Sequence, residues 1–460
     1  MKIDAEVSTI PDQVLSDLVR IGLARSDSSD VDGVGHVLHG DLALFLPLLT
    51  GFDVRLVPMI RANCPVKFCT GILKLPASSV PGDKNMRAPI PAGGQADTLV
   101  DASFGCIGEL TERLSLCSMG ESESRACKEV QKLPQVEMAS ILGLSESQSR
   151  NAIRQLASRG VNLDANAPDW GSISDGRLLL TQLGFGTHAQ VPGICILFGE
   201  LEISTGLDQG FASSVGCAVW RDHEGARQRA LLELVERDAV AQAWYNRLGI
   251  TELDRDQVKS FLAESLSDFV EAESRCWGLY VVDTELHVHV VMAISYDSGG
   301  RKAAFGSAAG WDMSSACTSA VEELLQSENA LTLMERAYPD RPNTVTRVPD
   351  VPRQLVYARQ HSITADLLTC AKAATDTSSY GISYSYDDLL QSCLDRDIEI
   401  WEFDATRPDL RVPCVKLISK DLCSWEPRFG KERLYQGVVD RGLRKEPGTE
   451  AEFEQRPFPF

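Results

Sequence analysis

Apolar residues recur at helical spacing near the start of the chain, and β-branched and aromatic runs follow further along it. Residues 11–24 carry one apolar stripe that predicts an amphipathic helix; the stripe consists of Val14, Leu15, Leu18, Val19 and Leu23. Residues 26–35 are rich in Ser, Asp and Gly, a composition typical of a linker. Side-chain type favours strands at four places, which are 195–202, 278–283, 287–296 and 397–403. Because helical patterns alternate with these strands, the predicted fold class is α/β, with helices and sheets in layers.

One five-residue pattern, Glu-x-x-Glu-Arg, occurs at residues 109–113 and again at residues 233–237. Residues three or four apart on a helix are neighbours at about 5–6 Å, so each pattern gathers two carboxylates and one guanidinium. On a solvated face such ion pairs contribute only about 0.3–0.5 kcal/mol and need no further cause. Here small and apolar residues flank both patterns; they are Ala102, Phe104, Cys106, Ile107, Ala226, Ala230, Leu231 and Leu232. Buried carboxylates need a counter-charge or a metal, and two such helices together would suit magnesium with phosphate attached.

A third segment has a similar order of small residues followed by a polar pair. Residues 306–310 contain only Gly, Ser and Ala, and residues 314–330 have the apolar spacing of a helix. This predicted helix places Glu323 and Gln326 three residues apart. A glutamine offers a carbonyl and an amide rather than a charge, which suits a nucleotide contact better than a metal site.

Together, these three segments resemble the signatures of the YcaO family. Residues 214–218, which read Ser-Val-Gly-Cys-Ala, with Ala226 and the second Glu-x-x-Glu-Arg pattern, are similar to the central signature. Ala102 with the first pattern is similar to the first signature, and the helix of Glu323 and Gln326 is similar to the third. Gly105 is also Gly in the heterocyclase subunits of microcin-type azole-modified peptide synthetases, which the chain resembles most. The resemblance implies a YcaO-like fold with mixed sheets and an ATP cleft lined by acidic helices.

The resemblance also implies an ATP-dependent enzyme that acts on peptide backbone amides, with ATP and Mg²⁺ as cofactors. Four glutamates are implied as metal ligands, namely Glu109, Glu112, Glu233 and Glu236. ATP contacts are implied for Arg113, Arg237, Glu323, Gln326 and Gly216, and Arg237 is also implied as a catalytic group at the phosphates. The chain departs from the family pattern at Gln95, where a Lys is frequent, and at Arg221 and Gly225. The ribose and adenine contacts are therefore left unassigned.

The implied reaction is cyclodehydration of a ribosomal precursor peptide to thiazoline or oxazoline. A Cys, Ser or Thr side chain adds to the preceding carbonyl, and phosphorylation of the amide oxygen makes that oxygen a leaving group. A general base must remove the proton. The chain ends Arg-Pro-Phe-Pro-Phe, and its two prolines stiffen the terminus. Because a proline-rich C-terminus reaches the active site in azoline-forming members of the family, the terminal carboxylate of Phe460 is implied as this base; a frayed acidic tail is the alternative.

Two other functions fit the same residues. Peptide thioamidation would keep the fold and use external sulfide as the nucleophile. A non-catalytic nucleotide-binding scaffold or regulator would use residues 136–161, whose apolar spacing resembles a helix-turn-helix with the turn of a winged module. This segment carries few basic residues in a very acidic chain, so a helical insertion at about 128–165, used for packing or for gripping a leader peptide, fits it better than DNA reading.

Composition narrows the class of protein further. A net charge of −20 and a pI near 4.8 argue against a general nucleic-acid surface, because phosphate affinity comes mainly from Lys and Arg. No apolar run approaches the ~20 residues of a membrane span, and the N-terminus lacks a secretory pattern. The 13 cysteines include no Cys-x-x-Cys pair, which fits reduced, mostly buried thiols in the cytoplasm. His287 and His289 are expected on one solvent-facing side of a strand, since two histidines alone do not close a metal site.

The chain is predicted to comprise an N-terminal segment (1–60), a catalytic domain (61–445) that includes the insertion, and an acidic Pro-containing tail (446–460). Fused members of the family carry a domain resembling ubiquitin-activating enzymes that holds the leader peptide, and about 60 residues cannot encode one. A separate leader-binding partner protein of that kind is therefore expected, together with a flavin dehydrogenase that oxidises azolines. A homo-oligomer or hetero-complex is expected, and neither a membrane nor nucleic acid is expected as a partner.

Overall fold

The computed structural model describes most of the chain. The described residues are 10–27, 35–75, 89–120, 123–126, 128–158, 163–164, 170–173, 176–198, 211–337, 351–374, 378–456 and 458. Their helices are α1 (Asp12–Arg20), α2 (Leu46–Gly51), α3 (Leu99–Ser115), α4 (Met138–Leu142), α5 (Glu146–Ala157), α6 (His223–Asn246), α7 (Arg255–Phe261), α8 (Glu264–Ala272), α9 (Met313–Ala337), α10 (Val351–Gln360), α11 (Tyr386–Leu394), α12 (Gln436–Asp440) and α13 (Glu450–Glu454).

The strands form several small sheets rather than one continuous sheet. They are β1 (Ala24–Asp27), β2 (Gly35–Leu38), β3 (Asp53–Met59), β4 (Lys67–Lys74), β5 (Ile90–Ala96), β6 (Arg177–Gln182), β7 (His188–Pro192), β8 (Cys217–Val219), β9 (Ile250–Glu252), β10 (Cys276–Val282), β11 (His289–Tyr296), β12 (Ala304–Gly310), β13 (Lys372–Ala373), β14 (Ile400–Asp404) and β15 (Cys414–Ser419).

The sheets have the strand orders β3-β4-β5, β12-β11-β10-β9-β13, β7-β6-β14-β15-β8 and β1-β2. Neighbouring strands in these sheets are antiparallel, apart from the parallel pair β9 and β13. Helices α3 and α9 cover β5 and β12, and α6 lies among β8, β15 and β12. The molecule is therefore a layered α/β protein with mixed sheets, as the sequence predicts.

Glycines allow two of these helices to lie directly on their strands. Helix α3 begins at Thr98, whose side chain accepts a hydrogen bond from the Asp101 N–H, and its buried side includes Ala102. A Cβ added to Gly94 of β5 would overlap the Ala102 carbonyl oxygen, and a Cβ added to Gly306 of β12 would overlap the Ala320 carbonyl oxygen of α9. The small residues that precede the acidic patterns thus serve close helix–strand packing.

Helix α6 is the central helix of the core. It begins at Asp222, whose side chain accepts from the Gly225 N–H at 2.7 Å, and it ends at Arg247, whose φ is 55°. Its last three turns are buried almost completely, including Trp244 and Tyr245, which are fully inaccessible to solvent. A helix that is buried on nearly all sides has little freedom to move. The second Glu-x-x-Glu-Arg pattern therefore lies on a fixed support.

Most of the predicted elements are present, with shifted ends. The predicted helix over 11–24 is α1, which is shorter because Gly22, with a φ of 82°, turns the chain into β1. The strands predicted over 278–283, 287–296 and 397–403 correspond to β10, β11 and β14, and the helix over 314–330 corresponds to α9.

One predicted strand and one predicted histidine position are wrong. Residues 195–198, the described part of the strand predicted over 195–202, instead begin with the last residue of a 3₁₀ turn, Gly193–Cys195, and make one bridge between Phe198 and Cys117. Their side chains are apolar because they fill the core, not because they join a sheet. His289 is buried, with Nε2 2.8 Å from the Ile382 carbonyl oxygen, whereas His287 precedes β11 and is exposed.

The predicted helix-turn-helix is present as α4 and α5, joined through Gly143, whose φ is 64°. The first turn of α5 is attached to the C-terminal part of the chain. Ser145 donates to Glu450 at 2.7 Å, and the Gln148 amide donates to the Pro427 carbonyl at 2.6 Å. A DNA-reading helix would present this same end to bases, so the docking favours a structural insertion. The predicted turn at 159–161 lies outside the described residues.

Two further predictions concern thiols and membranes. Ten of the twelve cysteines in the described residues are buried, and these twelve carry free thiols, which agrees with the prediction of reduced, buried thiols. In the described residues no helix combines the length and the apolar character that a membrane crossing requires.

Candidate active site

The two acidic helices meet at one cleft. The cleft has a volume of about 860 Å³, and its walls are α3, the start of α6, β8 with the residues that follow it, and residues 39–45. Glu109, Glu112 and Glu233 lie along it, although more than 120 residues separate the two patterns in the sequence. The folded chain therefore brings both Glu-x-x-Glu-Arg patterns to one place.

On α3, the first pattern is bonded to the free edge of β5. Glu109 accepts a hydrogen bond from the Gly93 N–H at 2.7 Å and pairs with Arg113 at 2.5 Å. Arg113 in turn donates to the Pro91 carbonyl at 2.7 Å. Burial raises the pKa of Glu112 well above its ordinary value, and the nearby Cys217, Glu233 and Glu109 raise it further.

On α6, Glu236 and Arg237 form the most enclosed part of the site. Glu236 accepts from the Ser307 hydroxyl at 2.6 Å and from the Ala309 N–H at 3.2 Å, and it pairs closely with Arg237. Burial raises the pKa of Glu236 to about 7, and neighbouring Glu323 acts in the same direction against the opposing effect of Arg237. A carboxyl group with such a pKa is poised between its charged and neutral forms at neutral pH.

Arg237 is held by two carboxylates and one aromatic ring. Its guanidinium lies 3.5 Å from Glu233 and 3.5 Å from the centre of the Trp425 ring. Its Nε is buried and has no hydrogen-bond partner among the described residues. Arg237 thus has one donor whose hydrogen-bonding capacity is not used by the described residues.

Glu233 lies between the two helices, next to Gly216. Burial raises the pKa of Glu233, whereas Arg237 and Lys416 lower it, and a backbone hydrogen bond from Gly216 also lowers it. Gly216 has a φ of 76°, and a Cβ there would lie 2.7 Å from the Leu417 carbonyl oxygen. Glycine is therefore required at the point where this backbone N–H faces the carboxylate.

Helix α9 brings the third polar pair to the same place. Glu323 accepts from the Ser307 N–H at 2.6 Å, so one serine touches Glu323 with its backbone and Glu236 with its side chain. Gln326 packs against Gly93, where a Cβ would overlap the glutamine amide nitrogen. Both residues thus adjoin the acidic site.

The charges of the site do not balance. Five carboxylates meet there: Glu109, Glu112, Glu233, Glu236 and Glu323. The cationic neighbours among the described residues are Arg113, Arg237 and Lys416, which leaves a formal charge of −2 when every carboxyl group is ionised. Raised pKa values are the expected response of such a cluster, and a divalent cation would remove the same imbalance.

The carboxylates of the site fit a magnesium ion that is also bound to phosphate better than a magnesium ion held by protein side chains alone. In the part of the chain that the structure describes, no three His, Cys, Asp or Glu side chains come close enough to hold a metal ion by themselves. Magnesium commonly uses one or two carboxylates and takes its remaining ligands from phosphate oxygens and water. The separated, negatively charged carboxylates agree with that pattern.

Several residues of the site were not found from the sequence. At the outer end of the cleft, Arg229 stacks at 3.2 Å on Trp220, and Phe104 and His39 also line the wall. Gly225 leaves the space that the Trp220 ring fills, since a Cβ there would overlap it. Lys416 and Trp425 come from the C-terminal part of the chain and belong to no local motif, so only the folded structure reveals them.

The carboxylate implied as the general base belongs to the last residue of the chain. Phe460 lies outside the described residues, and of the last four residues only Phe458 is described. Phe458 is buried, 4.8 Å from Trp425 between ring centres and nearly parallel to it at 18°. The described end of the tail thus reaches the ring that also contacts Arg237.

Comparison with family models gives one match. The family described as YcaO cyclodehydratase, ATP- and Mg²⁺-binding, matches residues 93–423, which is more than half of the chain. This interval includes the two Glu-x-x-Glu-Arg patterns, Glu323 and Gln326. The comparison with curated proteins found no match.

Solved structures with the same fold include heterocyclases and a microcin synthetase. A heterocyclase in complex with substrate and cofactor superposes with a TM-score of 0.69 at 22% identity, over 88% of this chain and 55% of that chain. YcaO from Methanopyrus kandleri, bound with AMPPCP and Mg²⁺, gives 0.53 at 17% identity, over 86% of this chain and 90% of that chain. The E. coli microcin synthetase McbBCD complex gives 0.59 at 13% identity, over 95% and 98%. The chain thus spans only about half the length of the first heterocyclase.

Proposed function

The chain belongs to the YcaO family, and from that premise we propose that it is an ATP-dependent cyclodehydratase subunit. Its substrates would be Cys, Ser or Thr residues of a ribosomal precursor peptide, converted to thiazoline or oxazoline. The observation that supports this most strongly is the meeting of two distant Glu-x-x-Glu-Arg patterns at one cleft with an uncompensated negative charge.

In this proposal Glu109, Glu112, Glu233 and Glu236 hold magnesium at the triphosphate, and the adenosine part lies toward Trp220 and Arg229. Bound magnesium would supply charge neutralisation on the phosphate oxygens. The chain's own groups would position the rest: Gly216 and Ser307 fix the carboxylates, and Arg237 would place its guanidinium beside Glu233 and Glu236. Arg113, Glu323 and Gln326 would complete the contacts on the phosphate side.

The reaction would proceed in two stages with balanced atoms. The side-chain sulfur or oxygen of the substrate forms a bond to the preceding carbonyl carbon, and the former carbonyl oxygen takes the terminal phosphoryl group of ATP. The C–O bond then breaks with loss of phosphate while the amide nitrogen loses its proton, so the products are azoline, ADP and phosphate. Positioning and charge stabilisation supply most of the rate in phosphoryl transfer.

A base is needed for the nucleophile and for the amide proton. The terminal carboxylate of Phe460 is proposed for this role, with support from the burial of Phe458 beside Trp425 and Arg237. Two residues separate Phe458 from the chain end, a span of at most about 7 Å. A base within that span of Phe458 would lie near the Trp425 ring that contacts Arg237.

Partners and compartment are also proposals. A separate leader-binding protein resembling ubiquitin-activating enzymes is proposed, and the McbBCD complex among the solved structures of the same fold supports a partner protein in general. A flavin dehydrogenase would oxidise the azolines, and the chain would act in a homo-oligomer or hetero-complex. Buried free thiols in the described residues fit a cytoplasmic location.

Mass spectrometry of a precursor peptide tests the proposed reaction. The purified chain, its partner, ATP and Mg²⁺ are incubated with a Cys- and Ser-rich precursor, and we expect a loss of about 18 Da per ring, since one water is removed. A gain of about 16 Da would instead identify thioamidation, in which sulfur replaces oxygen. An unchanged peptide mass together with intact nucleotide binding would support the scaffold function and refute the cyclodehydratase.

A further inference from the structure

Trp425 contacts both the catalytic arginine and the C-terminal tail. The Arg237 guanidinium lies over its ring at 3.5 Å, and the Phe458 ring stacks on it at 4.8 Å with an interplanar angle of 18°. The Trp425 carbonyl also accepts a hydrogen bond from the Tyr245 hydroxyl at 2.6 Å, which fixes its backbone to α6. The Trp425 side chain thus connects the tail to the site.

Phe458 of the tail packs among the rings of Trp244, Phe305 and Trp425, which are called the aromatic box below. Phe458 contacts Trp244 at 5.0 Å and Phe305 at 6.2 Å, in addition to Trp425. Trp244 lies two turns after Arg237 on α6, and Phe305 lies two residues before Ser307 on β12. The Trp244 indole N–H donates to the Arg456 carbonyl at 2.8 Å, which holds the tail just before the box.

The stack with Trp425 is a contact of Arg237 with an aromatic ring, in contrast to its polar contacts. The polar partners of Arg237 in the described residues are Glu233, Glu236 and, at 3.4 Å, the Ser307 hydroxyl. If Glu233 and Glu236 turn toward a cation, they no longer hold the guanidinium in the same way. An aromatic face still attracts a buried guanidinium and favours an orientation parallel to the ring. In that orientation the N–H groups point outward in the plane of the guanidinium.

We propose that Trp425 is a positioning residue that ties the seating of the C-terminal tail at Phe458 to the orientation of Arg237. When Phe458 fills the box, the Trp425 ring is held in place and the stacked Arg237 guanidinium keeps one orientation beside Glu233 and Glu236. When the tail leaves, Trp425 loses its packing partner Phe458, and the orientation of Arg237 is left to its polar partners Glu233, Glu236 and Ser307. The seating of the tail thereby affects how Arg237 contacts the nucleotide. The role of Arg237 in this inference rests on the proposed function.

The test compares nucleotide affinity with tail seating in four single variants and one double variant. Trp425→Leu removes the ring, Trp425→Phe keeps an aromatic face, and Phe458→Ala empties the box while leaving the chain end present. Phe453→Leu is the matched control, because Phe453 is a buried tail residue whose ring contacts are with Tyr245, Phe429 and Tyr435. Two quantities are measured in the full-length protein: the Kd of a non-hydrolysable ATP analogue with Mg²⁺, by calorimetry, and hydrogen exchange of the peptide 450–460, by mass spectrometry.

We expect Trp425→Leu and Phe458→Ala each to weaken analogue binding by about 10-fold and to speed exchange in the tail, and Trp425→Phe to change binding by less than about threefold. The double variant Trp425→Leu/Phe458→Ala should bind no more weakly than Trp425→Leu alone, because both changes break one connection. Phe453→Leu should lower Tm and leave the Kd within about twofold.

Two results would overturn the coupling. One is that Phe458→Ala speeds exchange in the tail while the Kd stays at the wild-type value; the other is that the effects of the two variants multiply in the double variant. Phe458→Ala keeps the test decisive if Trp425→Leu does not fold, because the first of these results needs that variant alone. Neither measurement uses a precursor peptide, so a failure of cyclodehydration would leave this result standing, and the reverse also holds.

Discussion

Helices α3 and α6 carry the same Glu-x-x-Glu-Arg pattern, yet their arginines have different surroundings. The Arg113 side chain is 39% exposed and donates to the Pro91 carbonyl at the edge of β5. The Arg237 side chain is 13% exposed, stacks on Trp425, and pairs with both glutamates of its own pattern. A shared sequence pattern therefore does not imply equal roles for its members.

The difference follows from what covers each helix. Helix α3 has a sheet on one side and the open cleft on the other, so Glu109 and Arg113 serve partly to hold the strand edge. Helix α6 is enclosed by β8, β12 and β15, so its charges have few partners besides one another. We infer that α6 supplies the electrostatic centre of the site and that α3 supplies its wall.

The largest effect is expected from Glu236→Gln. The amide can still accept from Ser307 but carries no charge, so metal-dependent ATP turnover should fall by at least ~100-fold while the fold persists. Phosphate release measures turnover, and circular dichroism checks the fold. Glu224→Gln, an exposed position in the first turn of the same helix, is the control and should retain wild-type turnover. Wild-type turnover in Glu236→Gln would exclude Glu236 from the site.

Gly94→Ala should have the next largest effect, this time on stability. The added methyl would overlap backbone atoms of α3 that cannot move independently, so we expect a loss of about 2–4 kcal/mol in the free energy of unfolding. Gly108→Ala is the control, because nothing lies within 4 Å of a Cβ at that position of the same helix. It should stabilise the protein by roughly 0.5–1 kcal/mol through helix propensity. Equal denaturant midpoints for the two variants would contradict the close packing of α3 on β5.

The two arginines give a direct test of the comparison. Lysine keeps the charge but loses the planar fork and most of the stacking, so Arg237→Lys should reduce ATP turnover by about 10–100-fold. Arg113→Lys should reduce it by less than about fivefold, since Arg113 is more exposed and contacts a carbonyl that an ammonium can also reach. Steady-state kinetics with ATP as the varied substrate measures both. If the order of the two effects were reversed, α3 would be the electrostatic centre.

The smallest effect is expected from pH. Burial raises the pKa of Glu236 to about 7 from 4.5, so between these values the folded state binds a proton that the unfolded state has lost. Stability without ligand should therefore fall as pH rises through this window and level off above it. Relative to Glu236→Gln, which lacks this ionisation, the wild-type Tm should drop by roughly 1–3 °C across the window.

Ligand addition checks the sign of this pH effect. Metal ligation requires the ionised carboxylate, so Mg²⁺ with an ATP analogue should raise the wild-type Tm more at about pH 8 than at about pH 6. Parallel Tm profiles for wild type and Glu236→Gln, with and without the analogue, would show that Glu236 is ionised throughout.

The sequence by itself determined the parts of the protein that depend on local order. Spacing of three and four places two carboxylates and an arginine on one helix face, small residues allow a helix to approach a strand, and both are visible in one segment at a time. These rules were enough for α3, α6 and α9 and for the glutamates that meet at the cleft, whereas the family followed from the resemblance of three segments to its signatures. They failed at residues 195–198, because an apolar run looks the same in a strand and in a core-filling loop.

Only the tertiary structure decided which charges are enclosed and which residues complete the site. Lys416 and Trp425 adjoin the α6 pattern although about 180 residues separate them from it, and no periodicity links such distant positions. The distinction between Arg113 and Arg237 has the same origin. The desolvation of charged groups and the interactions between pairs of charges depend on distances between segments. These distances are set when the sheets and helices pack, and neither five-residue pattern determines them.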